Sequence, residues 1–348
     1  SMRIHTLLFI ITIMAGNIFV AADLIILRDG AESLRGTILS GGESGLRIEL
    51  TNAQRDTRLI PWSSVLEIQS ARPHPSLQIF LQQGIELNRA KQRLLRGDVV
   101  LAEPLFLEAF ARLMGSDTED ARLASEGLLR CAISRGDYSI AVHPWLETVR
   151  LEELTISTPF SKLQPILDPS TMLCPHLPPV WIAHKELISI CNDYRNLPQS
   201  ITASIATSIV SNKERIEPIE GLEDSLFLPQ ILLSSVGDVS AMNSLLDAQD
   251  KMPEWKRAWA HFFIAKGYLH QHTEETKTSG LIYLAKVAAI NPKVQPWLSC
   301  ASMLILSDAM EEEGAEEASL RIRNEATRLF PEHPLHTNDQ FQLRSSIQ

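Results

Sequence analysis

Two histidines and two glutamates form the densest group of metal-capable side chains in this sequence: His270, His272, Glu274 and Glu275. Imidazole and carboxylate groups are common ligands of Zn²⁺. A helical zinc pair needs its histidines at positions i and i+4, so that both lie on one face. His270 and His272 are closer than that and straddle a predicted helix end. We therefore interpret the group as part of a solvent-exposed loop, and the sequence predicts no metal ligand.

A run of carboxylates near the C-terminus is the second concentration of charge. Glu311–Glu313 is followed by Glu316 and Glu317 at the junction of two predicted helices. Runs of this kind are typical of a solvated helix face, because like charges repel and retain their water. We predict no binding role for them.

Motifs of enzymes are missing from the sequence. There is no Gly-x-Ser-x-Gly elbow, no phosphate-binding loop, no dinucleotide fingerprint and no paired-cysteine metal motif. We therefore predict a non-enzymatic protein without catalytic residues, cofactor-binding residues or cofactors. The alternative from another class is a hydrolase or metal-binding protein whose site residues follow no motif.

Composition and charge limit the partners. Hydrophobic residues make up 45% and charged residues 21% of the 348 positions, as in globular proteins. The net charge of −10 argues against nucleic acid, since binding to phosphate backbones depends on clustered Lys and Arg.

The N-terminus resembles an export signal, and we predict a signal peptide over residues 1–22. Arg3 precedes an apolar stretch that begins at Thr6, and Val20-Ala21-Ala22 offers the small residues that signal peptidase reads. Asn17 and Asp23 interrupt the stretch, which disfavours a permanent span of about 20 apolar residues. We expect the mature protein in the periplasm, in the cell envelope or secreted, without a stable membrane span. An uncleaved anchor is the alternative.

The four cysteines leave the redox state open. Cys131, Cys191 and Cys300 lie in apolar helical contexts, where buried thiols are common, whereas Cys174 lies in a Pro-rich segment. Spacing allows a bridge between Cys174 and Cys191 but does not establish it.

The sequence predicts five short strands within residues 23–70, because alternating apolar runs are separated by turns such as Asp29-Gly30 and Gly41-Gly42. The residues predicted to point inward are Leu24, Ile26, Leu34, Ile38, Leu46, Ile48, Leu50, Val65 and Ile68. Five strands in so short a segment indicate a small closed barrel. The pattern resembles SH3-like and Sm-like small barrels, and we expect Trp62 to cover one barrel end rather than to bind a ligand.

Residues 71–76 contain Pro73 and Pro75 and are predicted to be a linker. Apolar residues then recur at helical spacing, and Gly97 and Asp98 separate the first two helices. The predicted helices are Leu77–Arg96, Val99–Leu113, Thr118–Arg135, Tyr138–Leu154, Val180–Asn196, Gln199–Lys213, Asp224–Val236, Val239–Lys251, Glu254–His272, Ser279–Asn291, Pro296–Glu313 and Ala315–Phe330. In the second helix, Leu101, Leu105, Ala109 and Leu113 form the predicted inner stripe. Residues 332–348 are predicted to be a flexible tail.

The segment 155–179 interrupts the helical pattern. It contains six prolines, which prevent any long helix, and several apolar residues. A long loop inside a compact domain is usually functional or packs across a neighbouring surface. We expect a structured loop between the helical segments 77–154 and 180–331.

The spacing of small and large residues resembles that of tetratricopeptide repeats. Ala102, Phe106 and Ala109 match the small, large and small positions of the second helix of such a repeat, and Ala241 and Leu245 recur at the same intervals. The resemblance implies a mainly α solenoid of helical hairpins that binds a protein or peptide in its groove. A structural component whose groove is filled by its own segment 155–179 is the alternative.

Overall fold

The computed structural model of the protein describes residues 22–180, 185–194, 197–198, 201, 227–290, 292–331, 333 and 336. These residues form eleven α-helices and one small antiparallel sheet of five strands at the N-terminal side, so the prediction of a mainly α fold with a small β part is confirmed. The chain divides into two compact units, Ser1–Arg89 and Ala90–Gln348. The predicted signal peptide, the helix Gln199–Lys213 and most of the tail lie outside the described residues.

The sheet contains β1 (Asp23–Leu27), β2 (Leu34–Gly42), β3 (Gly45–Leu50), β4 (Thr57–Ile60) and β5 (Val65–Gln69). Its strand order is β4-β3-β2-β1-β5, and every neighbouring pair is antiparallel. The predicted turn at Asp29-Gly30 forms with both residues in the left-handed region, at φ of 62° and 73°. A short 3-10 helix, Trp62–Ser64, connects β4 to β5.

The core of the sheet corrects one predicted strand face. Ile25 in β1 is fully buried, whereas Leu24 and Ile26, which were predicted to point inward, are only half-buried and lie outside this core. The prediction was wrong because four consecutive apolar residues carry no alternation. The face is set instead by Asp23, whose carboxylate accepts a hydrogen bond of 3.0 Å from the backbone N–H of Ile38 in β2.

Trp62 belongs to this core. Only 3% of Trp62 is exposed, its indole Nε1–H donates to the carbonyl of Gly42 at 2.7 Å, and its ring stacks on Phe80 at 5.8 Å between centroids. A Cβ on Gly84 would lie 2.3 Å from the carbonyl oxygen of Trp62, so only glycine permits this approach. The N-terminal unit therefore continues beyond residues 71–76 into the first helix.

The helices are α1 (Gln78–Leu95), α2 (Val99–Leu113), α3 (Glu119–Arg135), α4 (Tyr138–Glu153), α5 (Lys185–Asp193), α6 (Phe227–Ser235), α7 (Val239–Ala248), α8 (Glu254–His270), α9 (Glu274–Ala289), α10 (Pro296–Glu312) and α11 (Glu316–Leu329). Most bounds agree with the prediction to within a few residues. The predicted start of α9 at Ser279 was wrong. The helix begins five positions earlier, at Glu274, because the hydroxyl of the N-cap Thr273 accepts from the backbone N–H of Thr276.

A Gly-Asp turn recurs before three of the helices and joins each to the preceding helix. The glycine adopts a left-handed conformation, and the aspartate caps the next helix by accepting a backbone N–H three residues on. The turns are Gly97-Asp98 with Leu101, Gly136-Asp137 with Ile140, and Gly237-Asp238 with Ala241.

The buried face of α2 agrees with the predicted small and large positions. Ala102 and Phe106 are fully buried and Ala109 is nearly so. Leu101, however, is 53% exposed, so its place in the predicted inner stripe was wrong. The helix turns by about 100° per residue, and Leu101 therefore lies about a quarter turn from Ala102, outside the buried arc.

The Pro-rich segment 155–179 contains neither α-helix nor strand, yet it is packed. Phe160, Ile166, Leu167 and Leu173 are buried, and the last three belong to the main core of the second unit. The indole N–H of Trp145 in α4 donates to the carbonyl of Met172 in this segment at 3.2 Å. Apolar burial, rather than regular structure, fixes the segment.

Candidate functional site

A cleft of about 170 Å³ opens where the end of α8, the first turns of α9 and the C-terminal half of α10 meet. Its floor is apolar and its mouth is polar. The floor consists of Leu269, Leu281, Ile305 and Ala309, and the mouth consists of His272, Thr273, Glu274, Lys277 and Glu312. Pockets for drug-sized ligands usually have about 300–1,000 Å³. This cleft is smaller, and a cavity of about 150 Å³ holds one benzene-sized group.

Local sequence explains how the mouth is positioned. His272 ends the turn after α8 with a φ of 55°, a left-handed conformation that few non-glycine residues adopt. Thr273 and Thr276 then form a capping box in which each side chain accepts the other's backbone N–H. A Cβ on Gly280 would lie 2.9 Å from the Leu269 side chain, so glycine allows α8 and α9 to pack closely. The cleft is therefore held by a tight helical hairpin.

The mouth carries an excess of negative charge. Lys277 Nζ lies 3.1 Å from Glu313 Oε1, and this contact raises the pKa of Lys277. The pair is close to neutral as a whole. Glu274 and Glu312 form no ion pair with any residue that the structure describes, and both are exposed. Beside Glu313, Glu274 and Glu312 also help to raise the pKa of Lys277, so one ammonium group is shared by three carboxylates next to the apolar recess.

The structure brings together two groups that the sequence analysis assigned separately to solvent. His272 and Glu274 come from the group near residue 270, and Glu312 comes from the acidic run. Two other members of the acidic run form ion pairs of their own: Glu311 contacts Arg323 at 3.0 Å, and Glu317 pairs with Arg321. Glu313 instead pairs with Lys277 at the mouth. The rings of His270 and His272 have centroids 5.9 Å apart. Within the described ranges no group of three or more His, Cys, Asp or Glu side chains could hold a metal ion.

A second polar cluster converges on Glu147 of α4. This carboxylate is fully buried and accepts the backbone N–H of Gly115 at 2.7 Å and the Tyr194 hydroxyl at 3.0 Å. Arg150 donates to both carboxylate oxygens, at 2.7 and 2.9 Å. His143 Nε2 lies 3.0 Å from the Tyr194 hydroxyl oxygen. A carboxylate, a phenol and an imidazole in one chain of hydrogen bonds resemble acid–base machinery.

The titration of these groups argues against that chemistry. Burial opposes ionisation of Glu147, but the donors from Arg150, Gly115 and Tyr194 outweigh it and lower the pKa of the carboxyl. Burial and the charge of Glu147 raise the pKa of Tyr194, and burial lowers the pKa of His143. A general acid or base works best with a pKa near the working pH. Each shift moves the pKa of its group further from pH 7, so we interpret the cluster as structural.

A third cluster attaches the Pro-rich segment 155–179 to α3. Glu126 is 1% exposed and accepts from Arg122 at 3.2 Å, from Arg130 at 2.7 Å and from the Thr158 hydroxyl at 2.8 Å. The guanidinium of Arg130 also lies over the Phe160 ring, 5.3 Å from its centroid. These charged groups pair with one another inside the protein, and their hydrogen bonds fix the segment 155–179 in place.

Among the described residues, the four cysteines, His261 and His74 are not gathered into a further site. All four cysteines are free and buried, and burial raises the pKa of Cys174 and of Cys191 to about 12. His261 is buried in α8, and His74 is half-buried in the N-terminal unit. His184 lies outside the described residues. Among the helices that the structure describes, none has both the length and the apolarity required to cross a membrane.

Comparison of the chain with protein-family models, with curated proteins and with solved structures finds no match. The cleft therefore has to be interpreted from its own geometry.

Sequence reasoning missed the floor of the cleft. Leu269, Leu281 and Ile305 belong to three helices, and each occupies an ordinary apolar position in its own helix. The sequence did contain one signal. The two polar groups coincide with the ends of predicted helices, and in an array of hairpins such ends lie side by side. Recognising it requires knowing which helices are neighbours.

Proposed function

We propose that this chain is a non-enzymatic scaffold for protein–protein interaction that binds a peptide segment of its partner. The observation that carries the proposal is the cleft between α8, α9 and α10, with its apolar floor and its unpaired carboxylates Glu274 and Glu312. A recess of this size admits one apolar side chain. The carboxylates favour a neighbouring Lys or Arg, because complementary charges at an interface choose the partner and speed association.

The helical part is proposed to be tetratricopeptide-like. Support comes from the recurring Gly-Asp turn, and from the small buried residues Ala102 and Ala141, each five residues after the turn glycine, and Ala241, four residues after it. Hairpins of this kind present grooves between successive helices, which suits an extended peptide.

The N-terminal sheet is proposed to be an SH3-like barrel. The order β4-β3-β2-β1-β5 and the 3-10 helix before the last strand are the features that support this assignment. The barrel core contains Trp62, so the indole is not available as a ligand platform. Fold likeness alone assigns no partner to this unit.

We propose that the protein acts in the periplasm, in the cell envelope or outside the cell. The support is the apolar stretch and small-residue site of residues 1–22 in the sequence. Sequencing the N-terminus of protein recovered from its native cells tests this proposal, and a chain that retains Arg3 and partitions with membranes would contradict it.

A structural role is the second candidate, and a specific observation favours it. The Pro-rich segment 155–179 fills interior space of the second unit, where Phe160 and Leu173 are buried. A groove occupied by the chain's own segment would not accept a ligand there. This role and peptide binding at the cleft make different predictions, because the cleft lies on α8, α9 and α10.

The test is selection of 12-residue peptides from a displayed random library on the immobilised full chain. We expect enriched peptides with an aliphatic or aromatic residue next to Lys or Arg. Replacing Glu274 and Glu312 together by Lys should weaken binding at least about tenfold. Glu153→Lys is the matched control, since Glu153 is also exposed and forms no ion pair with a described residue.

Three outcomes are decisive. If no peptide is enriched, or if the enriched peptides bind the double variant as well as the wild type, the cleft is not the site. Equal losses in the control variant would indicate a non-specific effect of net charge. Mass spectrometry of each peptide after incubation with the protein detects cleavage, and cleaved products would support the hydrolase alternative instead.

A further inference from the structure

An uncharged apolar stripe runs along the whole exposed face of α2. Val100 is 73%, Leu107 47% and Met114 48% exposed, and Pro104 and Ala111 are exposed between them. These five residues, which we call the α2 stripe, follow the spacing i, i+4, i+7, i+11, i+14, so they lie on one side of the helix. Exposed apolar side chains that adjoin one another, unlike singly scattered ones, are candidates for an interaction site.

The next hairpin covers the same face with a helix. Aligning the turns Gly97-Asp98 and Gly136-Asp137 places Leu146 of α4 at the position of Leu107. Leu146 is fully buried, and α5 packs against α4. One helical turn earlier, the ring of His143 lies 5.7 Å from the ring of Tyr194, which directly follows α5. The other counterparts of the stripe on α4 are Ser139, His143, Arg150 and Glu153, so Leu146 is the one apolar residue of this face, and it is buried.

A later hairpin shows which residues the scaffold accepts on this face. Aligning the buried Ala102 with the buried Ala241 places Val239, Asn243 and Leu246 of α7 at the positions of Val100, Pro104 and Leu107. Val239 and Asn243 are exposed, and Leu246 is half-buried against the main core. The counterpart of Pro104 is therefore polar, so hairpin packing does not require an apolar residue at that position.

The dimensions of the stripe favour one helix over a second copy of this chain. It is about 21 Å long and about 10 Å wide, from the rise and diameter of a helix. Stable dimers bury about 800 Å² on each partner. A strip of roughly 200 Å² in projection falls far short of that figure and matches the contact face of a single helix.

The charges beside the stripe specify the partner further. Arg96 is exposed at its N-terminal end, where Arg93 donates to the carbonyl of Leu101 at 2.9 Å, and Arg112 lies near its C-terminal end. Glu108 on this flank and the N-cap Asp98 are the acidic residues beside the stripe. Three arginines against two carboxylates leave the flank positive in a chain with a net charge of −10. We propose that the α2 stripe docks one amphipathic helix of a protein partner, with an apolar face and acidic residues along its edge.

This surface is separate from the cleft, and the proposal does not depend on peptide binding there. The probes are two fluorescent 18-residue synthetic helices with the same leucine face. One carries Glu and the other Lys along the edge. Fluorescence anisotropy with the full chain should give at least about tenfold tighter binding of the Glu helix.

Variants locate the binding. Leu107→Glu, and in a second variant Leu107→Gln, should abolish binding of the Glu helix, and both should fold because Leu107 is exposed. Ser244→Glu on α7 is the matched control and should bind like the wild type. For direct mapping, Leu107→Cys takes a benzophenone maleimide selectively, since the four native thiols are buried. Irradiation should crosslink this variant to the Glu helix, and the equivalent Ser244→Cys should not crosslink.

Several results would overturn the proposal. Equal binding of the Glu and Lys helices would mean that charge does not choose the partner. A dimer of the wild type by light scattering that Leu107→Glu dissociates would assign the stripe to a second copy. Binding to vesicles of phosphatidylcholine and phosphatidylglycerol that Leu107→Glu removes would assign it to a membrane surface. Absence of binding and of crosslinks to either helix would refute a docking role altogether.

Discussion

The ring of Phe106 in α2 packs directly on the backbone of Gly127 in α3. A Cβ placed on Gly127 would lie 2.3 Å from Cε1 of this ring, which is closer than any real contact. Phe106 is fully buried and also meets the Phe160 ring, at 6.5 Å between centroids. This contact joins two successive helices and the Pro-rich segment 155–179, so the fit of one aromatic ring against one glycine couples three segments of the second unit.

Gly127→Ala is therefore expected to destabilise the protein by about 1–3 kcal/mol, because the added methyl overpacks a filled core. The same substitution at an unconstrained helical position would stabilise by up to about 1 kcal/mol. Phe106→Ala should cost about 3–5 kcal/mol through the cavity it leaves.

The double variant gives the sharper result. With the ring removed, Gly127→Ala should become neutral or stabilising, and urea midpoints of the four proteins measure the coupling. Additive costs in the double variant would contradict the proposed contact. Gln92→Leu, at a half-buried position of α1, is the control and should be nearly neutral.

Regular elements of this fold could be predicted from the sequence, because they depend on local signals. Gly97 and Asp98 indicate a helix end and a helix cap, and alternating apolar and polar residues indicate the strands. The buried faces of these elements were harder to predict where the apolar pattern is ambiguous. Ile25 lies within a run of four apolar residues, and Leu101 borders the buried arc of α2, so contacts with other segments decide their burial.

The candidate site could not be predicted, because it depends on which helices are neighbours. Glu274 and Glu312 are far apart in sequence and each resembles an ordinary solvated residue. Their shared cleft exists only once α9 packs against α10. The buried carboxylate of Glu147 was also unexpected, since its compensating donors come from Gly115, Arg150 and Tyr194 in separate segments.

Removing Glu147 should be strongly destabilising. Glu147→Ala leaves the buried side of Arg150 and the Gly115 N–H without their acceptor, and breaking a buried pair costs about 3–5 kcal/mol. Tyr194→Phe removes the hydroxyl that donates to Glu147 and contacts His143 Nε2, and it should cost about 1.5–3 kcal/mol. Glu153→Ala at the exposed end of α4 is the control. Equal denaturant midpoints for Glu147→Ala and Glu153→Ala would show that the cluster does not hold the second unit together.

Stability should fall in mild acid because of His261. Burial, with the charges of Lys286 and Arg257, lowers the pKa of this imidazole to about 4. Below the unfolded value of about 6.5, the unfolded chain binds a proton that the folded chain refuses. The contribution is therefore fully present above about pH 6.5 and is lost as the pH falls towards 4, by up to about 3 kcal/mol.

The measurement is the urea midpoint of wild type and His261→Gln at pH 7, 6 and 5. The variant should be weaker at pH 7, since the 2.9 Å contact of His261 with Gln249 is disturbed, but it should lose less stability on acidification. His270→Gln, at the exposed end of the same helix, should keep the wild-type slope. If His261→Gln and the wild type lose stability in parallel, other groups control the acid response.

The last prediction concerns the strained turn at the mouth of the cleft. His272 holds a φ of 55°, which costs a residue with a Cβ about 1–2 kcal/mol relative to glycine. His272→Gly should therefore leave the thermal midpoint unchanged or raise it, because the relief of strain offsets the entropy that glycine adds to the unfolded chain. His272→Ala keeps the strain and should not stabilise.

Measuring peptide binding distinguishes two possible reasons why a histidine occupies this strained position. If the ring forms part of the peptide site, His272→Gly and His272→Ala should both weaken the library-selected peptides severalfold while their stabilities differ. Strain retained at a binding site in this way would be a trade of stability for function. If binding is unchanged in both variants, or if His272→Gly destabilises as much as His272→Ala, contacts of the imidazole within the fold explain the turn and His272 has no part in the cleft's function.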